Sequence, residues 1–202
     1  MDASTEAARP WIEAAKPGYP CLIDRDHRVA ELYNMVNVPQ AVWIDETGRI
    51  VRPPESAGVY EGFRAMDRAT RKVPDEVAAL TTHAKRTYVE AVRDWVLRGD
   101  ASVHVFGATR ATAHLALPDE RIAEAHAHFR LGQFLRRRGD TAAAQTHFAE
   151  ARRLHPDSWN IWRQTAAVDE RGLASGPEFW ARVDALGSRR YYAPVDMEGM
   201  PD

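Results

Sequence analysis

The chain has a single cysteine, Cys21, among its 202 residues. That excludes an internal disulfide framework and any dithiol redox cycle run by this chain alone. It has no run approaching the roughly 18 consecutive apolar residues of a membrane-crossing helix. It has no excess of one charge: 27 basic against 29 acidic side chains leave a net −2. No global field recruits nucleic acid or an anionic membrane, and neither is expected as a partner. The first residues, MDASTEAARPW, do not pass from basic to apolar as a secretory signal does. The lone thiol and the missing signal fit a reducing, cytoplasmic setting. There are eight histidines, but none in a His-x-x-x-His pair. His126 and His128 point to different faces of a helix, and His147 and His155 are eight apart, so no metal is expected. Gly-x-Ser-x-Gly, phosphate-loop and dinucleotide motifs are also missing, and no cofactor is expected.

What is present is an ordinary globular composition, 45% hydrophobic and 28% charged. Residues 52–76, RPPESAGVYEGFRAMDRATRKVPDE, have no regular apolar period and hold three prolines and two glycines. They mark a change of character. The expected organisation is an α/β segment over residues 1–58, a linker over 59–74 and an all-α region over 75–202.

In the first segment Ala8, Trp11, Ile12 and Ala15 recur at helical spacing, with regular helix expected from about Arg9 because of Pro10. A short extended run, Tyr19 to Asp24, precedes a second helix over 27–35 with Val29, Leu32 and Tyr33 on one side. Ala41–Ile44 and Arg49–Arg52 read as a hairpin turning through Asp45-Glu46-Thr47-Gly48.

These residues carry a resemblance. Tyr19-Pro20-x-Leu-Ile-Asp24, then Asn37-Val38-Pro39, then Val42-x-Ile44-Asp45-x-x-Gly48-Arg49-Ile50-Val51 resemble the C-terminal half of a thioredoxin-like redoxin domain, in the thiol–disulfide oxidoreductase and peroxiredoxin-like branch. The resemblance implies a partial thioredoxin-like fold in which Pro39 is the cis-proline, and Val38 with Pro39 binds an extended substrate. In that family the Cys-x-x-Cys lies well upstream of the proline. Only 38 residues precede Pro39 here, too few for the catalytic strand, its helix and the next strand. The catalytic half is therefore either lost or encoded upstream, and the chain is expected to be inactive alone. The absent central strand would leave an apolar edge beside Ala41–Ile44, open to self-association. Cys21 is a weak catalytic candidate; its two readings are a redox thiol and a small buried apolar residue.

In the C-terminal region Val77, Leu80, Ala84, Tyr88, Val92, Trp95 and Val96 mark a long helix from Asp75 to Leu97. Residues 101–117 read as irregular, and Pro118-Asp119-Glu120 opens the next helix. Leu131, Gly132, Ala144, Phe148, Ala151 and Pro156 then fall at the spacing of a tetratricopeptide repeat of about 34 residues. Gly139-Asp140 is the turn, and His128 and Leu135 replace the usual Trp and Tyr. The repeat spans 125–158. A weaker second one over 159–190 starts with Trp162 one repeat length after His128.

By this resemblance the concave face is lined by His126, Phe129, Gln133, Arg136 and Arg137, and in the weak repeat by Asn160, Arg163 and Arg171. Arginines so arranged suit the carboxylates of an acidic or C-terminal peptide. The alternative is that the chain fills its own groove. Two functions follow: the C-terminal part of a thiol–disulfide oxidoreductase, or a non-catalytic adaptor binding a protein or peptide partner through the repeat groove.

Overall fold

Ser4 has extended backbone and its hydroxyl accepts from Ala7 N, so helix α1 (Thr5–Ala15) begins four residues ahead of the expected start. The cap fixes the first turn, and Pro10 removes only one internal hydrogen bond. Lys16, at φ 46°, ends the helix. The structure is a computed structural model and describes residues 4–170 and 172–201. About half of the chain is helical and carries a small two-stranded sheet. It divides into two compact units: one of the residues up to Val36 with Leu117–Ala166, the other of Asn37–Ala116 with the residues from Ala167 on.

The first unit contains α1, the short α2 (Arg28–Leu32), α5 (Glu120–Arg137), α6 (Thr141–Leu154) and α7 (Trp159–Thr165). Asp119 caps α5, its carboxylate accepting from Ile122 N at 2.7 Å. Asp140 caps α6 in the same way, at 3.1 Å from Ala143 N. Between them Gly139 takes φ 84°, the left-handed turn that suits glycine. The hairpin buries Ala125, Phe129, Ala144, Phe148, Ala151 and Leu154, with Ile161 of α7 on the same core.

The second unit contains the hairpin of β1 (Gln40–Ile44) and β2 (Ile50–Ser56), the long α3 (Asp75–Arg98), α4 (Ala108–Ala113) and α8 (Pro177–Asp184). The strands are antiparallel, with Trp43 opposite Arg52 and an irregularity on either side of that pair. Trp43 and Val51 pack with Tyr88 and Ala91 of α3 and with Val195 and Met197 of the C-terminal tail. Arg52 is buried at 1% exposure, yet each of its three side-chain nitrogens donates a hydrogen bond. It grips Glu55 with two hydrogen bonds of 2.8 and 2.7 Å, and donates to His104 O and Asp196 O at 2.9 and 3.0 Å. Its guanidinium lies 4.1 Å from the centre of the Phe106 ring and 5.2 Å from that of Trp43. Burial pushes the Tyr88 hydroxyl well above the ordinary phenol range; it donates to Glu55 at 3.0 Å and accepts from Trp43 Nε1 at 2.8 Å.

The units do not follow boundaries at 58 and 75. Residues 5–36 pack with the repeat hairpin because α2 pairs with α5 through charged side chains, whereas the hairpin beginning at Gln40 packs on α3. The supposed linker holds a 3₁₀ turn at Gly62–Ala65, where Phe63 sits 4.9 Å from Tyr191 and Arg64 donates to Gly187 O and Arg189 O. The reading of 159–190 as a second repeat is also corrected: α7 stops after Thr165, and α8 buries Phe179 and Val183 in the second unit. Among the described residues the strands are β1 and β2 only, and a thioredoxin-like sheet is not shown.

Candidate functional site: the face of helix α5

The repeat closes on a glycine. A Cβ built on Gly132 would stand 2.6 Å from the Phe148 ring, inside any tolerable contact. A side chain at this position would force the Phe148 ring to move. That contact fixes how α6 lies on α5, and so which α5 side chains turn the other way.

Those side chains meet residues 24–36 of the same chain. Asp24 organises the segment, its two carboxylate oxygens accepting from Arg28 N at 2.7 Å and Ala30 N at 3.0 Å. His27 takes φ 57° and aims its ring at α5, edge-on to Phe129 with 5.1 Å between centroids. Gln133 Nε2 donates to His27 Nδ1 at 3.1 Å. One turn on, Glu31 forms an ion pair with Arg130, and Asp26 pairs with Arg137 at 3.0 Å. Past α2, Asn160 of α7 donates to two successive carbonyls: Nδ2 to Met35 O at 2.6 Å and N to Val36 O at 3.0 Å. Side-chain pairing followed by main-chain capture is how a peptide is held in a groove.

The electrostatics follow burial. Desolvation lowers the His27 pKa to about 4, against the pull of Asp24. Because Nδ1 accepts from Gln133, the neutral ring carries its proton on Nε2, and that buried atom has no hydrogen-bond partner. Burial likewise lowers His126 and His155, whose rings stand 6.0 Å apart and whose Nε2 atoms are also unpartnered. Burial pushes the Glu31 carboxyl up, but the hydrogen bond and charge of Arg130 outweigh it and hold Glu31 below the usual carboxylate range.

Of the residues expected on the concave face, Phe129, Gln133 and Arg137 meet the segment directly, and Asn160 holds its end. His126 is buried beside His155 and feels Glu31. Arg136 turns away: its guanidinium is 5.2 Å from the centre of the Phe148 ring and donates to Gln164 O at 3.2 Å. Arg163 is half-buried on α7, and Arg171 lies outside the described residues. Sequence reasoning missed Arg130 and the whole opposing set, Asp26, His27 and Glu31. It also missed the pairs His126/His155 and His128/His147 (Nδ1 to Nδ1, 2.8 Å), which form across the helical hairpin.

The redoxin-derived residues lie elsewhere. The Val38–Pro39 peptide is cis, and Val38 O accepts from the Tyr192 hydroxyl at 3.4 Å. Cys21 is exposed, which corrects its reading as a buried apolar residue; its sulfur lies 4.0 Å from Tyr19 O. No group of three or more metal-ligating side chains occurs among the described residues, and no helix there is long and apolar enough to cross a membrane.

Residues 125–168 match the tetratricopeptide repeat family, a span that begins within α5 and takes in α6 and α7. No curated protein and no solved structure matches the chain significantly.

Proposed function

We propose that the chain is a protein-interaction module whose α5 face receives a peptide segment bearing carboxylates. One observation carries this reading: the face lined by Phe129, Arg130, Gln133 and Arg137 already holds such a segment, residues 24–36, through Asp26, His27 and Glu31. Helical-repeat proteins use surfaces of this kind to bind protein. The test is selection of a displayed peptide library on the full chain. Acidic peptides should be enriched, and Arg130→Glu with Arg137→Glu should lose them while keeping the parent's helical circular dichroism. Equal enrichment on both proteins would overturn the reading.

A second reading, the redoxin relationship of residues 5–58, is favoured by the antiparallel β1–β2 hairpin with its turn at Asp45–Gly48. It makes the chain the C-terminal part of a thiol–disulfide oxidoreductase, inactive alone because its one thiol cannot run a dithiol cycle. Disulfide-reducing turnover that survives Cys21→Ser would contradict that expectation.

A further inference from the structure

Helix α2 faces the wrong way for a core helix. His27 and Ala30 are buried, at 7% and 8% exposure, while Val29 and Leu32 stand 49% and 64% exposed. A helix that joins a core turns its apolar side inward; this one turns its two large apolar side chains, Val29 and Leu32, outward. Five residues are too few to hold a helix alone, so α2 depends on Asp24 and on α5. The attachment is polar: it is buried at Gln133 and Asn160 and solvent-exposed at the ion pairs. The Arg137 and Asp26 side chains are 49% and 55% exposed, and that of Arg130 is 42% exposed. Ion pairs so exposed contribute little to holding a structure shut. Its apolar anchors are small: the imidazole edge on Phe129 and the buried Ala30.

We infer that residues 24–36 are an exchangeable internal occupant of the α5 face, displaced by a partner segment of the same chemistry: a short helix with a carboxylate, an imidazole next to it and a second carboxylate one turn on, in the pattern Asp-His-x-x-x-Glu. This rests on the α5 face being a peptide site and adds what that site takes and how access to it is controlled. Arg130 and Arg137, two turns apart, read the two carboxylates, and Gln133 between them reads the imidazole.

The test uses the full chain and a fluorescent synthetic peptide of residues 22–36. Asp26→Ala with Glu31→Ala weakens the internal segment without touching the receiving face, and Glu31→Gln is a milder variant should the first lose its helical signal. Fluorescence anisotropy should show the peptide binding the weakened chain at least about tenfold more tightly than the parent, and adding Arg130→Glu and Arg137→Glu should abolish it. Equal affinity for parent and weakened chain would show that the segment does not guard the face, and would overturn the inference alone. So would failure of the peptide where unrelated acidic library peptides bind the weakened chain. If a folded weakened chain binds neither, the inference and the interaction reading fall together.

Discussion

The two units bury polar groups by opposite strategies. In the second, Arg52 is a full charge at 1% exposure, and each direction of its guanidinium is answered by Glu55, a carbonyl or an aromatic face. In the first, Gln133 and Asn160 are paired, but the buried imidazoles of His27, His126 and His155 each leave Nε2 without a partner. A closed network fixes one arrangement, because removing any member strands the others. An open one is easier to exchange, since the alternative arrangement loses little. The first pattern belongs to a scaffold, the second to a surface that gives up what it holds.

The comparison can be broken most severely at Arg52. Arg52→Ala leaves Glu55 buried without its partner and should cost about 3–5 kcal/mol in chemical denaturation. Arg52→Lys should recover little, because a point charge cannot make the two-pronged grip. A loss under about 1 kcal/mol would show that this network is no scaffold. Next comes the repeat's own hinge: Gly132→Ala drives a methyl into Phe148 and should cost about 1–3 kcal/mol, with part of the loss recovered in combination with Phe148→Leu.

A pH titration sharpens the contrast. The unfolded chain protonates His27 near the ordinary 6.5, while the folded chain resists until about 4. Between those values the unfolded state binds more protons, so stability falls as pH falls, by on the order of 1–3 kcal/mol. Asp24, Asp26 and Glu31 on the segment and Arg130, His126 and Gln133 on α5 surround the ring or its neighbour. Protonation would also set Nδ1–H against the Gln133 donor. Thermal melts of parent and His27→Gln between pH 7 and 4.5 should converge in acid; parallel curves would remove His27 from the account. The smallest expected effect is that of Arg137→Ala, under about 1 kcal/mol because its ion pair is half exposed. A larger loss in the same denaturation measurement would mean that the segment is part of the core after all.

The repeat hairpin was legible because its packing has a fixed arithmetic: Gly132 faces Phe148 and small alanines alternate with large rings, so spacing alone reports the contact. The long α3 was legible through its apolar period, and the β1–β2 turn through Gly48. The α2 segment was not. Val29 and Leu32 read as the buried side of a helix because periodicity assumes that apolar residues face inward, and here they face water. The cross-hairpin histidine pairs were hidden for a related reason: spacing along one helix says nothing about a neighbour reached through a turn. Half of the site, Phe129, Gln133, Arg137 and Asn160, came from the repeat's positions. The other half lies some ninety residues upstream or more, in a stretch assigned to a different fold.

The lone cysteine has a practical consequence. Cys21 is exposed, unique in the chain and three residues ahead of Asp24, which organises the segment. One maleimide dye therefore labels one place, with no mutagenesis and no competing thiol. A dye there rides on the flank of the part proposed to leave, so its rotational freedom becomes a real-time signal of departure. A spin label at the same sulfur would divide the held and released populations by line shape, in the native sequence.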